Sequence, residues 1–578
     1  MLDIENIRHS LAHLLAASVL DTFPGTQLGI GPVTRDGFYY DFLVPQPLKP
    51  EDLPKLEKGM KDFVKKDLSF SHEVISAEEA RKIFQDQPLK LELIADLEKS
   101  GEKIGIERTG DGFVDLCKGG HVSRAGEIPS DAFHLTKIAG AYWKGNEENT
   151  MLTRIYGVAF SKEEELKQYL AMLEEAEKRD HKKLGIELDL FAFSPLVGSG
   201  LPLFTPRGTI IREELTDFVQ SLQIPRGYKR VTIPHITKRA LYETSGHWQK
   251  FEDGLFKITT REGHEFAMKP MNCPHHTQIY ASQKRSYRDL PIRYSEVTMV
   301  YRDEQSGELS GLSRVRSITQ DDGHVFCRMD QIEEEAGAIW DIIDDFYSVF
   351  NMPLTIRFSR HDPDQMDKYL GTSAIWDAAE KKLLTIIKKR GVDYIDGPGE
   401  AALYGPKIDF IAKDSLGREW QLATIQLDFN LPERFDLTYV NEKGKDERAV
   451  MLHRAILGSI ERFLSILIEH YAGDFPLWLS PVQVQVLPIG EQHQAYAEKI
   501  LEELENAEIR TEVVSSGETL GKRIREAEIK KIPYLVIVGD KEEKDGLVGL
   551  RARHSEKTET LSSQDLLEQL LEEIARRK

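Results

Sequence analysis

The arrangement of apolar runs and helical patterns is regular near the C-terminus and irregular before it. A single domain does not easily combine the two arrangements. The segment after Pro481 carries three apolar runs separated by two helical patterns, at 482–488, 491–507, 509–514, 519–530 and 534–538. Such alternation is typical of βαβ units with a parallel sheet. The preceding block, at about 185–478, combines long helices with strands that do not alternate regularly, which favours a largely antiparallel α+β core. We therefore expect a multidomain chain with α+β and α/β parts.

The first block extends to about residue 160 and opens with a helix. The helical spacing of apolar residues predicts it: Ile7, Leu11, Leu14, Leu15 and Val19. A linker helix is predicted at about 161–183, because Ser161 and Glu164 form a capping-box pattern. We expect domains at 1–160, 185–478 and 481–578, with the linker helix at 161–184.

Composition narrows the class of protein. At roughly 100–200 residues per domain, 578 residues predict about three to five domains. The three cysteines are too few and too far apart for a disulfide framework, so we expect the reducing cytoplasm. The first residues lack the pattern of a signal peptide, and no long apolar run predicts a membrane span. The net charge of −20 argues against a polyanionic partner for the chain as a whole, although a local basic surface remains compatible with it.

The central block contains three residues of the types that bind zinc: Cys273, His324 and His453. A catalytic zinc uses three protein ligands and keeps one position open. The residues are far apart in sequence, and large enzymes contain many buried Cys and His residues. Spacing alone therefore leaves a packed core as the alternative, which is also our interpretation of Cys327.

Two further pairs lie in the first block. His9 and His13 are four residues apart on the opening helix, and Cys117 and His121 repeat that spacing. From the residues alone, the set predicts either a zinc site with one Cys and three His ligands or histidines satisfied by hydrogen bonds.

Three segments in order resemble the signature motifs of class II aminoacyl-tRNA synthetases. They are Gly227–Pro234, Tyr301–Glu304 followed by Arg314–Arg316, and Leu457–Phe463. Five more segments together resemble the threonyl-tRNA synthetase family: Met271–His276, Gln320–His324, Tyr404–Lys407, Trp420–Phe429 and His453–Gly458. The resemblance covers essentially the whole chain. It implies an editing domain, an antiparallel-sheet class II catalytic core and an α/β anticodon-binding domain.

The resemblance implies that threonine is activated with ATP and Mg²⁺ and then transferred to tRNA(Thr). Arg302 would hold the α-phosphate and the carboxylate, Arg314 and Arg462 the outer phosphates, and Glu304 the adenine amino group. Arginine suits this task because its planar fork donates several hydrogen bonds. The remaining residues implied at the substrate site are Met271, Gln320, Tyr404, Lys407, Gln421, Thr424, Gln426 and Ser459.

The resemblance also implies one Zn²⁺ per subunit, held by Cys273, His324 and His453. The amine and hydroxyl of threonine would coordinate it, and Asp322 would accept the hydroxyl proton. Valine lacks the hydroxyl, and a site built to bind a hydroxyl rejects such an analogue by about 10⁴–10⁵.

Serine poses the opposite problem, because it lacks only a methyl group, and one methyl is worth about 10–200-fold discrimination. The first block resembles an editing domain shared by threonyl and alanyl synthetases, which in bacterial threonyl members needs no metal to hydrolyse seryl-tRNA. His9 and Lys90 would activate water, with a nucleophilic Cys117 as the weaker alternative. The resemblance implies that four further residues position the substrate and the water: His13, Asp115, Cys117 and His121. Gly119-Gly120 departs from the usual Gly-Pro, which we expect to loosen the site.

In the last block the resemblance implies anticodon reading by Glu542 and Arg551. Gly517 and Thr519 replace an Asn and a Lys of the family loop. Basic residues nearby form either a phosphate contact or a solvated helix face: Lys522, Arg523, Arg525, Lys530 and Lys531. We also expect a homodimer, and we expect the small N-terminal β-rich domain common in bacterial members to be absent.

Two other functions compete with this interpretation. A synthetase-like RNA-binding regulator should have lost ATP or zinc contacts, whereas the residues for both are present. Another class II synthetase, such as an alanyl or prolyl enzyme, would not need the Cys-His-His set beside Asp322.

Overall fold

The chain forms two units, Met1–Glu175 and Ala176–Lys578, which are described separately. The computed structural model describes residues 3–146 and 148–577. Residues 1 and 2, at the start of the first predicted domain and of the segment examined for a signal peptide, therefore lie outside the described residues. So do residue 147 and residue 578, at the end of the last predicted domain. Among the described residues, no helix is long and apolar enough to cross a membrane. All three cysteines are free thiols.

The first unit is built around the predicted opening helix, which spans Ile4–Thr22. The carboxylate of Asp3 accepts the N–H of Glu5 and caps the helix start. Its apolar side packs against sheet strands and the helix Leu53–Lys65. The other helices are Ala77–Ile83 and Pro88–Ser100.

Within its described residues, the first unit contains two antiparallel sheets. The four-stranded sheet has the order Gln27–Leu28, Gly37–Leu43, Met151–Ala159 and Phe133–Tyr142. The three-stranded sheet has the order Phe70–Ile75, Ile104–Thr109 and Phe113–Leu116.

The predicted linker helix is shorter than expected. It spans Glu163–Lys178, and a separate helix, His181–Glu187, follows it. The N–H of Ser161 donates to the carboxylate of Glu165 at 3.1 Å, so the capping carboxylate is one residue beyond the predicted Glu164. The prediction of one helix to residue 183 was therefore wrong at its C-terminal end.

An eight-stranded sheet forms the centre of the second unit. Its order is Lys229–Arg230, Ile292–Tyr301, Ser317–Cys327, Val450–Ala455, Glu419–Asp428, Lys407–Lys413, Leu354–Arg360 and Tyr394–Pro398. The six central strands pair antiparallel, and only the two outermost pairs are parallel. The predicted antiparallel core is confirmed.

Side chains of successive strand residues point to opposite faces of this sheet. His324 is opposite His453, and His453 is opposite Gln426, so these residues share one face. The neighbours Val325, Leu452 and Ile425 lie in the hydrophobic core on the other face. One face is thus free to carry polar chemistry while the other is packed.

Helices and smaller sheets complete this part of the chain. The helices are Pro206–Gln223, Arg239–Ser245, His247–Lys250, Cys273–Ala281, Ile332–Ser348, Ser373–Arg390, Asn430–Arg434 and Ile460–Tyr471. The smaller sheets pair Ile236–Lys238 and Lys257–Thr259 with Glu265–Met268, Phe191–Ala192 with Leu203–Phe204, and Thr438–Val440 with Asp446–Arg448.

The C-terminal segment has a five-stranded sheet in the order Thr511–Val513, Val484–Pro488, Tyr534–Val538, Leu547–Ala552 and Glu559–Ser562. The three predicted strands are parallel to one another. Two antiparallel strands, absent from our prediction, extend one edge. The helices are Gln494–Asn506, Leu520–Ile529, Asp540–Asp545 and Ser563–Ala575.

A fully buried ion pair ties the central strands together. Arg454 donates to Asp321 at 2.8 Å, and neither side chain is exposed. Gln223 bonds to both partners, and the other Asp321 oxygen accepts the N–H of Ile456. A Cβ on Gly323 would overlap the guanidinium, so the strand approaches Arg454 closely only because residue 323 is glycine.

Removing one partner of this pair should be costly, because an uncompensated charge would remain buried. We expect Arg454→Met to lower the free energy of unfolding by about 3–5 kcal/mol, measured by urea titration followed by tryptophan fluorescence. Arg448→Met is the control, since Arg448 forms an exposed pair with Asp436. It should change the value by less than about 1 kcal/mol. Equal effects of the two substitutions would contradict the importance assigned to the buried pair.

Candidate functional site

Cys273, His324 and His453 meet on the polar face of the central sheet. Their ligand atoms lie within 4.8 Å of one another, and all three residues are buried. His324 Nε2 and His453 Nδ1 are 3.1 Å apart. Cys273 is the first residue of the helix Cys273–Ala281, which brings its sulfur to the two strands.

The remaining nitrogen of each imidazole is held by another side chain. His453 Nε2 contacts Asp428 Oδ2 at 2.8 Å, and His324 Nδ1 contacts His276 Nδ1 at 2.7 Å. The other Asp428 oxygen accepts the backbone N–H groups of Asn430 and Leu431. Such partners fix the orientation and tautomer of metal-binding histidines.

Burial shifts the pKa of His324 and of Cys273. Burial lowers the pKa of His324, so its imidazole is neutral and retains a lone pair. Burial raises the pKa of the Cys273 thiol, which a bound metal ion would counteract. One sulfur and two imidazole nitrogens form a donor set typical of zinc.

Predicted substrate residues surround the trio. Asp322 lies 3.7 Å from His324 and accepts a hydrogen bond from Asn272 at 3.0 Å. Tyr404 stacks on His453 with ring centroids 4.7 Å apart. Its hydroxyl donates to Gln426 at 2.7 Å.

Three arginines form a cationic cluster beside this set. Burial lowers the pKa of Arg462, and the nearby positive charges of Arg302 and Arg314 lower it further. Glu304 provides partial compensation, since Arg314 Nε donates to it at 2.9 Å. Mutual repulsion among three guanidinium groups is relieved when an anion binds between them.

Asp409, a residue that the sequence did not single out, organises another group of predicted residues. Lys407 Nζ lies 2.9 Å from Asp409, and Thr424 donates to it at the same distance. Arg357 also pairs with Asp409 and donates to Gln421 at 2.6 Å.

The other predicted catalytic-face residues have local roles. Ser459 caps the helix Ile460–Tyr471 by accepting the N–H of Arg462, and it forms an isolated bridge with Gln320. Met271 packs against the apolar cluster that includes Cys273.

In the first unit, His9, His13, Cys117 and His121 also converge, with ligand atoms within 4.8 Å of one another. Cys117 Sγ lies 3.1 Å from His121 Nε2 and 3.5 Å from His9 Nε2. Burial lowers the pKa of all three histidines and raises the pKa of Cys117 to about 12. The imidazoles are therefore neutral, and the protonated thiol is a weak nucleophile.

Lys90 and Asp115 form a buried ion pair beside this cluster. Tyr40, absent from our sequence prediction, donates to Asp115 and accepts from Lys90 at 3.1 Å. Asp115 also lies 3.9 Å from His13. The six predicted residues thus form one site.

The Gly119-Gly120 turn has a defined conformation. The two glycines have φ values of +88° and +89°, and proline is restricted to φ near −65°. Gly119 donates its N–H to Cys117 Sγ at 3.3 Å. The structure therefore links this turn to the cysteine and gives a reason for glycine at residue 120.

In the C-terminal sheet, the predicted residues Glu542 and Arg551 have separate partners. Glu542 accepts the N–H of Gly539 at 3.1 Å, and Arg551 donates to Glu528 at 2.7 Å. Among the described residues, no hydrogen bond joins Glu542 to Arg551.

Arg523, in the helix Leu520–Ile529, and Thr519, which precedes that helix, both have local structural roles. Arg523 is buried and donates to the carbonyl groups of Glu518 and Val514, so it does not belong to a solvated basic face. Thr519 caps the helix Leu520–Ile529 by accepting the N–H of Lys522.

Family comparisons match all three parts of the chain. The tRNA synthetase class II core domain (G, H, P, S and T) matches residues 256–471. The anticodon binding domain matches 483–573. The threonyl and alanyl tRNA synthetase second additional domain matches 106–156. The predicted fold class is confirmed.

Relatives match over nearly the full chain. A threonine–tRNA ligase of Deinococcus radiodurans is 48% identical over 99% of this chain and 89% of its own length. One of Thermus thermophilus is 46% identical with the same coverage. The solved RNA binding domain of threonyl-tRNA synthetase from Cryptosporidium parvum has a TM-score of 0.66 and 37% identity, and the match covers 68% of this chain and 98% of that chain. The chain therefore belongs to the threonine–tRNA ligase family.

Proposed function

We propose that this chain activates L-threonine with ATP, transfers the threonyl group to tRNA(Thr), and hydrolyses mischarged seryl-tRNA at a separate site. The observation that carries the proposal is a Cys-His-His donor set with an arginine cluster next to it, because the charge of Arg302 acts on Cys273 on one side and on Arg462 on the other. The first suits an amino acid with two neighbouring donor groups, and the second suits a triphosphate.

Activation needs positioning and charge neutralisation more than covalent catalysis. Arg302 holds the α-phosphate and the threonine carboxylate, whereas Arg314 and Arg462 hold the outer phosphates. Glu304 accepts from the adenine amino group. Mg²⁺ accompanies ATP. Lys407, Gln421, Thr424 and Ser459 line the adenylate, and the shared carboxylate of Asp409 keeps Lys407 and Thr424 in place.

Zinc recognition of threonine rests on Cys273, His324 and His453. A zinc ion held there with an open position would act as a Lewis acid that binds the amine and hydroxyl of threonine. Asp322 is placed to accept the hydroxyl proton, since it lies beside His324. Met271, Gln320, Tyr404 and Gln426 enclose the amino acid. Valine is rejected because it cannot fill the position taken by the hydroxyl.

We expect Cys273→Ser to remove both bound zinc and threonine activation, because a hydroxyl is a much poorer zinc ligand than a thiolate. Metal analysis of the purified protein should find about one zinc per chain in the parent and none in the variant. The rate of threonine-dependent ATP–pyrophosphate exchange should fall together with the zinc content. Cys327→Ala is the control, since Cys327 is a buried core residue away from the donor set. Full zinc content in Cys273→Ser would refute the ligand assignment.

Editing takes place at the Cys-His cluster of the first unit. His9 and Lys90 activate the water, and the ion pair of Lys90 with Asp115 orients the ammonium group. His13, Asp115, Cys117 and His121 place the seryl ester and the water. Burial lowers the pKa of His9, so its imidazole is neutral near pH 7 and can accept a proton from water.

The double substitution His9→Ala, His13→Ala should leave threonyl-tRNA synthesis intact. Loss of the general base should slow deacylation of seryl-tRNA by about 10²–10⁴-fold. His134→Ala is the matched control, because His134 is partly exposed and pairs with Glu57 instead. Deacylation of preformed seryl-tRNA measures both variants. A parental rate in the double variant would contradict the assignment.

The domain limits, dimer and location are also part of the proposal. Editing belongs to 1–160, catalysis to 185–478 and anticodon binding to 481–578, joined by the linker at 161–184. The segment 227–234 contributes to a homodimer interface, which would cover the exposed apolar residues Ile224 and Ile236 on either side of it. Because tRNA charging serves translation, we place the enzyme in the cytoplasm.

Arg551 and Glu542 read anticodon bases. We expect Arg551→Ala to raise the KM for tRNA by about tenfold, because loss of a good base contact costs about 1–3 kcal/mol. Threonine-dependent ATP–pyrophosphate exchange should not change, since activation precedes use of tRNA. Arg576→Ala is the control, because Arg576 is exposed, follows the last residue of the helix Ser563–Ala575 and pairs with Glu572. An unchanged KM for tRNA in Arg551→Ala would exclude a role in recognition.

A further inference from the structure

The turn Ser310–Arg314 lies in the connection between the strands Ile292–Tyr301 and Ser317–Cys327. The N–H groups of Ser313 and Arg314 donate to the carbonyl of Ser310. Arg314 is the last residue of this turn. Arg462 donates from Nε to the carbonyl of Ser313 at 3.0 Å. Two of the three clustered arginines therefore depend on where this one turn lies.

A histidine from another element holds the middle of the turn. His181 begins the helix His181–Glu187, and its side chain is almost fully buried. The N–H of Leu312 donates to His181 Nε2 at 3.1 Å. Because Nε2 accepts this bond, the ring proton lies on Nδ1, which contacts Glu469 Oε1 at 2.6 Å.

Glu469 is fixed in turn. It accepts the backbone N–H of His181 at 3.2 Å and pairs with Arg418. Arg418 also donates to Asp414 at 2.7 Å, and Asp414 accepts from Trp420 at 2.9 Å. The imidazole is thus anchored on its Nδ1 side to a buried network, and Nε2 is directed at the turn.

The ring and the turn are in close contact. Gly311 has a φ of +49°, and a Cβ at this residue would overlap His181 Nε2. Leu312 is fully buried in the main core cluster. The turn can approach the imidazole only because residue 311 has no side chain.

Asp180, His181 and Glu469 are close enough to resemble a metal-binding group. However, both ring nitrogens of His181 already have partners, and Glu469 is paired with Arg418. The hydrogen bonds account for the cluster without a metal ion, so the cluster positions the turn.

We propose that His181, oriented by Glu469, is a positioning residue for ATP binding: its bond to Leu312 fixes the turn that places Arg314 and supports Arg462. This proposal rests on the proposed function, in which those two arginines hold the outer phosphates. It predicts a defect in ATP binding that spares the amino-acid site.

Two substitutions separate the two bonds of His181. The amide of His181→Asn reaches the place of Nδ1 and can still donate to Glu469, but it is too short to accept from Leu312. The amide oxygen of His181→Gln reaches the place of Nε2 and can accept that N–H. In ATP–pyrophosphate exchange, we expect the His181→Asn variant to raise the KM for ATP by about tenfold, which corresponds to the loss of one hydrogen bond. The KM for ATP of the His181→Gln variant should remain closer to the parental value.

The KM for threonine and the zinc content should not change in either variant, which a general loss of structure would not produce. If His181→Asn does not fold, Gly311→Ala carries the test, because its methyl group would push the turn away from an intact His181. The same selective rise in the KM for ATP is expected. A parental KM for ATP, or an equal rise for ATP and threonine, would overturn the proposal.

Arg314→Ala distinguishes failure of this inference from failure of the proposed function. If Arg314→Ala leaves the KM for ATP unchanged, the phosphate role of Arg314 is wrong, and the proposal fails with it. If Arg314→Ala raises the KM and His181→Asn does not, only the positioning role of His181 is wrong.

Discussion

The buried pair of Arg454 and Asp321 sets the geometry on which the second unit depends. Asp321 precedes Asp322, and Arg454 follows His453, so the ion pair lies directly behind the polar face. A shift of one residue in strand register would move every side chain to the opposite face. Such a slip would separate Arg454 from Asp321 and bury His324 and His453 in the core. The cost of unpaired buried charges therefore enforces the register that brings His324 and His453 together.

Buried carboxylates also fix side chains on the polar face of the sheet. The buried carboxylate of Asp428 contacts His453 on the adjacent strand. The buried carboxylate of Asp409 contacts Lys407 on its own strand and Thr424 on the adjacent strand. Each carboxylate fixes side chains that would otherwise have rotamer freedom. The site is thus preorganised, which reduces the reorganisation needed when substrate charge arrives.

Much of this arrangement could be predicted from the sequence, but only where the signal was local or matched a family motif. Apolar spacing predicted the helix Ile4–Thr22, and motifs supplied the donor set. The supporting residues His276, Asp428 and Tyr40 were missed. His276 meets His324 across 48 residues and Tyr40 meets Asp115 across 75, and no periodic pattern records such contacts.

Smaller errors had local causes. Glu164 and Glu165 are both plausible capping residues, and only the path of the backbone before the helix decides between them. The last two strands of the C-terminal sheet run antiparallel at its edge, so they do not follow the alternation of strands and helices that revealed the first three. The sequence also contained no sign that Thr519, which replaces a Lys of the family loop, caps a helix with its hydroxyl.

The two Cys-His clusters illustrate how similar residues are directed to different chemistry. Burial is the largest cause that raises the pKa of the Cys273 thiol, the carboxylates of Asp322 and Asp428 raise it further, and the positive charge of Arg302 lowers it. At the first-unit cluster, burial is the largest cause that lowers the pKa of His13, and His9 and the ammonium group of Lys90 lower it further, while the carboxylate of Asp115 lies 3.9 Å from the ring. Neutral imidazoles beside a lysine suit the activation of water and the stabilisation of a developing oxyanion. The two clusters therefore differ in their charged neighbours, which are two carboxylates and an arginine beside Cys273 and the ion pair of Lys90 with Asp115 beside His13.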